Sequence, residues 1–274
     1  MAPKKRLDKL LNDKDYFTSR SKAKRAIMAG IVYVNNELVD KAGTQVSSED
    51  DIEVKGDDNP YVSRGGLKLK KALDIFQVDP EGKTVIDVGA STGGFTDCLL
   101  QHGVKKVYAI DVGYGQIAWK LRQDDRVKVI EKTNFRYFTP EDLQVSVPLI
   151  VIDVSFISLR LIIPAALEFL EENSDIIALI KPQFEAGPDR VGDKGIVKDR
   201  NVHQDIIFEL SEFFATEENL YLNDLNYSPI TGASSKNIEF LIHLQNSAQK
   251  NDLNLWKQKI AKVVAQAHRE LGQS

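Results

Sequence analysis

The sequence predicts an α/β fold in two parts: a small α+β module, then a doubly wound, Rossmann-like domain with a mostly parallel seven-stranded sheet and an antiparallel last strand. Three observations lead there. At 274 residues the chain is too long for one average domain and suits two. From about residue 61 onward, strand-like and helix-like segments alternate, the pattern of a doubly wound sheet. Ahead of them, two helical stripes and a hairpin form a compact unit that ends in the polar, turn-rich GDDNP at 56–60. The expected organisation is a first module over 1–56, a linker over 57–63 and a second domain over 64–274.

Composition bounds the class. Hydrophobic residues make up 42% and charged residues 28%, ordinary for a folded, core-forming protein. No apolar run reaches the roughly 18–20 residues of a membrane span, and the basic start MAPKKRLDKLL lacks the apolar stretch of a signal peptide. The single cysteine, Cys98, excludes an internal disulfide framework and a multi-cysteine metal site. A cytoplasmic setting is expected, with no membrane partner. Net charge is −4, yet residues 1–30 carry nine Lys/Arg against three Asp. A basic face on an acidic protein is a candidate phosphate-docking surface, and equally a solvated helix surface.

In the first module, RLDKLLNDK places apolar residues at 7, 10 and 11, a helical stripe. FTSRSKAKRAIMAG predicts a second helix capped by Thr18 or Ser19 and stopped at Gly30. IVYVNNELVD reads as a hairpin with an Asn-Asn turn, and TQVSSEDDIEV at 44–54 as one more short strand. In the second domain the strands are TVIDVG, KVYAIDVG, VKVIEKT, PLIVIDVSF and SDIIALIKPQF. Helices are expected over SRGGLKLKKAL, GGFTDCLLQHG, QIAWKLRQDD, LRLIIPAALEFLEE (kinked at Pro164) and NVHQDIIFELSEFFATEE. LYLNDLNYSPI and NIEFLIHLQ have no helix long enough for a crossover between them, so they pair antiparallel. An amphipathic helix, LWKQKIAKVVAQAHREL, closes the chain.

The strongest local signal is DVGASTGGFTDCLL at 87–100, between the first strand and first helix of the second domain. Gly89, Gly93 and Gly94 permit a tight turn and close backbone approach by a ligand, and the helix start that follows offers free N–H groups. Asp111 stands 22 positions after Gly89, at the end of the second strand, where an acid accepts from ribose hydroxyls. Nicotinamide and S-adenosylmethionine enzymes share this plan. Here the spacing is G-x-x-x-G-G, and Asp87 adds negative charge suited to a sulfonium rather than a pyrophosphate, which favours S-adenosylmethionine. Ser91 and Phe95 in the same turn complete the expected contacts, with Asn134 and Phe135 as candidates to touch the adenine.

Four ionisable residues fall at or beside strand ends on one side of the sheet: Lys68 in the helix before the first strand, Asp153 after the fourth, Lys181 after the fifth and Glu239 at the start of the last. Buried together, two Lys and two acids neutralise one another, and a positioned Lys suits proton removal from a ribose hydroxyl. After the fourth strand stands Asp153-Val154-Ser155-Phe156, not the Asn-Pro-Pro-aromatic run of amine methylation. Cys98 lies inside a helix and reads as packing, not as a nucleophile. A ribose hydroxyl is the favoured acceptor.

These residues together resemble a known family. Residues 6 to about 54 look like the RNA-binding module of a small-subunit ribosomal protein, and the rest resembles the FtsJ-type ribose 2′-O-methyltransferases, whose Lys-Asp-Lys-Glu tetrad matches Lys68, Asp153, Lys181 and Glu239. The fusion, with YVSRGGLKL at its junction, is similar to the TlyA family over essentially the whole chain. The resemblance implies S-adenosylmethionine-dependent methylation of cytidine riboses in ribosomal RNA or ribosomal subunits, with no metal. It implies RNA docking through Arg6, Arg20, Lys22, Lys24 and Arg25, and a flipped-out cytidine presented to Lys181. Members were also named haemolysins. A membrane-active protein and a non-catalytic RNA-binding or ribosome assembly factor are the alternatives.

Overall fold

The computed structural model describes residues 4–17, 19–28, 30–54, 59–192, 195–216, 218, 220–232 and 236–272. The chain divides into two compact units, 1–64 and 65–274.

The first unit runs β1 (Lys4–Arg6), α1 (Leu7–Asp13), α2 (Arg20–Met28), β2 (Val32–Val34), β3 (Glu37–Leu38), β4 (Gln45–Ser47) and β5 (Ile52–Val54). Leu7, Leu10 and Leu11 of α1 pack on Ala23, Ala26 and Ile27 of α2 and on Val32, Val34, Val46 and Ile52 of the strands. Ser19 caps α2, its Oγ accepting from the Lys22 N–H at 3.3 Å, while Thr18 lies outside the described residues. Asn35 and Asn36 take φ of 52° and 65°, the left-handed pair that closes a two-residue hairpin between β2 and β3. The single strand expected over 44–54 is two strands in two different sheets: β4 pairs antiparallel with β1, and β5 with β2. The turn between them is set by Asp50, whose carboxylate accepts from the Ser47 N–H at 2.7 Å. Strand β1 carries no apolar alternation and gave no sequence signal. Of the expected linker 57–63, residues 57 and 58 lie outside the described residues.

The second unit comprises α3 (Gly65–Phe76), β6 (Thr84–Val88), α4 (Gly94–Gln101), β7 (Lys106–Ile110), α5 (Trp119–Arg122), β8 (Val127–Ile130), β9 (Val147–Ile152), α6 (Ile163–Leu167), β10 (Leu170–Ile180), α7 (Pro182–Glu185), α8 (Arg200–Thr216), β11 (Tyr221–Tyr227), β12 (Phe240–Gln245) and α9 (Leu253–Leu271). Its seven-stranded sheet has the order β11-β12-β10-β9-β6-β7-β8, with β12 antiparallel to both neighbours and the other pairings parallel. The expected antiparallel pair is therefore β11 with β12, and β12 is the reversed strand.

Side chains alternate across the pleat. Ile86, Val88, Ile150, Ile152, Ile176, Ala178, Phe240 and Ile242 join a core with Ile207 and Leu210 of α8 and Ile260 and Val264 of α9. On the opposite face, Phe76 of α3 stacks on His243 of β12, ring centroids 5.4 Å apart. Helices thus cover both faces, as near-continuous apolar strands require.

Two helices are shorter than expected. LRLIIPAALEFLEE is a 3₁₀ turn, then the five residues of α6, and from Leu170 it is already β10. Pro164 is no kink: it sits at the start of α6, where a missing N–H costs nothing. Pairing of Leu170 with Val147 draws the chain into the sheet, and tertiary pairing overrides the helix propensity of Leu-Glu-Glu. QIAWKLRQDD is helical only over α5, because Asp124 turns the chain by accepting from the Arg126 N–H at 3.0 Å.

Candidate active site

The glycine turn lies where β6, β7 and β9 end together. Gly89 has φ 84°, and its N–H donates to Ile110 O at 2.8 Å. A Cβ there would sit 2.6 Å from the backbone oxygen of Asp153, so glycine is required by both conformation and space. Gly93, φ 97°, turns the chain into α4, with Gly94 and Phe95 buried in its first turn. Asp111, one residue past β7, is held in place: its Oδ2 accepts from the Ser91 N–H at 2.7 Å and its Oδ1 from the Gly113 N–H at 2.6 Å.

Asp87, near the end of β6, is fully buried. Its Oδ2 accepts from Thr96 Oγ1 at 2.5 Å, while its Oδ1 has no hydrogen-bond partner. Burial pushes this carboxyl up to about 7, opposed by the Thr96 bond and reinforced by the negative charges of Asp153 and Asp111. A buried acceptor without a donor, beside a turn that only glycine can make, is the environment a cationic ligand completes.

Asn134 caps a 3₁₀ turn by accepting from the Arg136 N–H at 3.2 Å. Phe135, the other candidate to touch adenine, has its ring in the core against Phe138 and Phe169, at centroid distances of 6.0 and 5.9 Å, which leaves its backbone to face a ligand.

The four ionisable residues meet at the same rim, and the sheet register explains how. Val88 is level with Ile152, so Gly89 and Asp153 leave the sheet side by side. Ile180 pairs with Phe240, so Lys181 and Glu239 step off the ladder together, although β10 and β12 run oppositely. Glu239 therefore precedes β12 rather than beginning it. Lys68 reaches the rim from α3, its Nζ 2.5 Å from Glu239 Oε2, and Lys181 Nζ stands 2.5 Å from Asp153 Oδ1. The side chains are only 4% to 18% exposed. Burial alone would push the Asp153 carboxyl up, but the positive charges of Lys68 and Lys181 more than offset it and hold it below the usual range. Each pair is neutral, so removing one member strands a buried charge.

The structure adds residues that the sequence did not single out. Ser155 Oγ accepts a second hydrogen bond from Lys181 Nζ, at 2.9 Å. Phe156 is 90% exposed with φ 63°, and its ring lies 4.8 Å from that of Phe184. An exposed aromatic in the left-handed region is a strained conformation that its surroundings must impose. Glu185 supplies part of that restraint, accepting from Ser158 Oγ at 2.6 Å and the Leu159 N–H at 2.9 Å. Only the exposure marks Phe156, and an apolar residue after a buried strand reads from sequence as core.

In the first unit, Lys22, Lys24 and Arg25 lie exposed along α2, opposite its buried Ala23, Ala26 and Ile27. Arg6 and Arg20 instead converge on Asp8. Among the described residues no helix is long and apolar enough to cross a membrane, and no group of three or more His, Cys, Asp or Glu could hold a metal ion.

Residues 61–246 match the FtsJ-like methyltransferase family, and residues 5–52 match the S4 domain. The fold is thus that of a methyltransferase carrying an S4 domain ahead of it. The chain belongs to the TlyA family. It is 52% identical over 98% of its length to YqxC of Bacillus subtilis (strain 168), a candidate rRNA methyltransferase, covering 96% of that protein. It is 39% identical over 91% of its length to the 16S/23S rRNA (cytidine-2′-O)-methyltransferase TlyA of Mycobacterium tuberculosis, covering 93% of that relative. A solved structure of a candidate hemolysin from Streptococcus thermophilus matches with a TM-score of 0.76 at 46% identity, over 98% of each chain.

Proposed function

We propose that this chain transfers a methyl group from S-adenosylmethionine to the 2′-hydroxyl of a cytidine ribose in ribosomal RNA, working in the cytoplasm. The observation that carries the reading is the rim itself: two neutral, buried Lys–carboxylate pairs directly beside the glycine turn. The name of the M. tuberculosis relative supports the choice of cytidine and of ribosomal RNA.

S-Adenosylmethionine supplies a methyl group on a positively charged sulfur. The residues that would hold it are the backbone of Gly89, Ser91, Gly93, Gly94 and Phe95, with Asp111 facing its ribose, Asn134 its adenine edge and Asp87 its cationic end. Asp87 fits that role because its Oδ1 is buried with no donor.

Lys181, fixed by Asp153 and Ser155, would in its amine form take the 2′-hydroxyl proton as the ribose oxygen accepts the methyl group, and the ammonium so formed would be neutralised by the Asp153 carboxylate. Asp153, kept ionised by the two lysines, orients it. Lys68 and Glu239 complete the network and hold α3 against the rim. Phe156 offers a stacking face for the acceptor base once it is turned out of its helix. The first module docks RNA phosphates through Arg6, Arg20, Lys22, Lys24 and Arg25, and residues 57–63 link it to the catalytic domain.

The test is transfer of labelled methyl from S-adenosylmethionine to unmodified ribosomal subunits, with Lys181→Ala alongside. Label on RNA that requires Lys181 supports the proposal. No transfer to either subunit or to free RNA, with cofactor binding intact, contradicts it and favours a binding or assembly factor.

A further inference from the structure

Asp8 stands out among the acids of the first unit. It lies in the first turn of α1 and is only 3% exposed. Its backbone is fixed, since the Leu7 N–H donates to Thr44 O at 2.8 Å and the Asp8 N–H to Ala42 O at 3.1 Å. Two arginines from different elements converge on its carboxylate. Arg6, at the end of β1, donates from Nε to Oδ1 at 3.0 Å and from Nη2 to Oδ2 at 3.2 Å. Arg20, at the start of α2, donates from Nε to Oδ2 at 2.9 Å. The arginine side chains remain 48% and 55% exposed. Arg6 also lies close against Gly43, where a Cβ would come within 3.1 Å of Nη1. Burial alone would push the Asp8 carboxyl up, but its bonds to the two guanidiniums override it and hold it below the usual range.

We infer that Asp8 is a positioning residue: it yokes Arg6 and Arg20 into one fork that takes a single phosphate of the RNA backbone. The inference rests on the reading of the first module as RNA-binding. Asp8 occupies both N–H groups on one edge of Arg6 and only Nε of Arg20. The Arg6 Nη1 and both Nη groups of Arg20 are left outside the pairing. The trio carries one net positive charge and presents planar N–H donors that suit phosphate oxygens. Exposed arginines ordinarily lose rotamer freedom when they bind. Here that ordering is completed on folding, so little of it is left for binding to supply. Asp13, the other acid of α1, pairs instead with Lys5 in an exposed contact at 3.1 Å.

This gives a prediction opposite in sign to simple electrostatics. Removing a negative charge from an RNA-binding face should tighten binding. If Asp8 positions the fork, Asp8→Asn in the full chain weakens it instead. The measurement is affinity for purified 16S and 23S ribosomal RNA across a salt series, for wild type, Asp8→Asn, Arg6→Ala, Arg20→Ala, Arg6→Ala/Arg20→Ala and the triple variant. The expected result is a loss of about tenfold for Asp8→Asn near 0.1 M salt, with a shallower salt slope. Adding Asp8→Asn to the double arginine variant should change nothing further. Loss in that background would mean that Asp8 acts by supporting the fold, which overturns the inference. The arginine pair tests it without touching Asp8, because one fork requires the two single losses to overlap rather than add. Unchanged or tighter binding by Asp8→Asn, with Arg20→Ala weakened, overturns the fork while leaving the module RNA-binding. Unchanged binding in every arginine variant refutes the RNA-docking role of this face itself.

Discussion

The buried rim and the exposed side of α2 hold charge in opposite ways. At the rim, Lys68, Glu239, Asp153 and Lys181 are buried, paired and neutral as a set. On α2, Lys22, Lys24 and Arg25 lie exposed to solvent. Buried pairs are barely screened by salt and sit where the ladder puts them. Exposed cations are screened within about 10 Å at 0.1 M salt and act by displacing counterions from RNA. On the proposed reading the difference separates chemistry from docking, and it can be broken by experiment.

The largest effect belongs to Lys181. Replacing it by Ala should lower methyl transfer by about 10³-fold or more, with cofactor affinity changed by no more than about threefold, as read by single-turnover transfer and calorimetry. Equal loss of cofactor binding would move Lys181 from the acceptor side to the cofactor side.

Next comes the cost of stranding a charge. Lys68→Ala leaves Glu239 buried without its ammonium and should destabilise the second unit by about 3–5 kcal/mol, whereas Lys68→Met/Glu239→Gln should cost much less. Denaturant unfolding of the two variants gives the comparison.

Asp87 gives a pH signature. Its folded-state value is raised to about 7 from 3.8, so its contribution to stability is full below about pH 4 and is lost as pH rises through about 7. Asp87→Asn should therefore be more stable than the parent above pH 7 without cofactor, by up to about 4 kcal/mol, and should lose the difference in acid. The same variant should bind S-adenosylmethionine more weakly. Stability curves that run parallel at all pH values would show that the buried carboxyl is not the source.

The smallest effect is expected on α2. Lys22→Ala/Lys24→Ala/Arg25→Ala should weaken RNA binding about tenfold near 0.1 M salt and reduce the salt slope by about three, leaving transfer at saturating RNA unchanged. A rim variant that changed the salt slope equally would erase the distinction.

How much of this was legible in sequence followed from which interactions are local. The glycine turn, Asp87 and Asp111 are set within one strand-turn-helix passage, and the spacing of Gly89 and Asp111 carries them. The tetrad was legible because residues just beyond strand ends must share a rim once the strand order holds, and the register of β10 with β12 places Lys181 beside Glu239. The inward ring of Phe135 was not legible, because it is set by a 3₁₀ turn and by distant core partners. Phe156 was missed because exposure of an apolar side chain has no local signature. Strand β1 and the early start of β10 depend on distant partners, Gln45–Ser47 and Val147. So does the convergence of Arg6 and Arg20 on Asp8, in which Arg20 reaches across twelve positions of sequence.

The central claim is that the acceptor is a ribose oxygen. Its most direct test is to let the chain methylate unmodified ribosomal RNA, digest the product to nucleosides and identify the methylated one by mass spectrometry and by resistance of its 3′ linkage to alkali. The account predicts 2′-O-methylcytidine, absent with Lys181→Ala. A base-methylated nucleoside, or a methylated product whose linkage is cleaved by alkali, would contradict it.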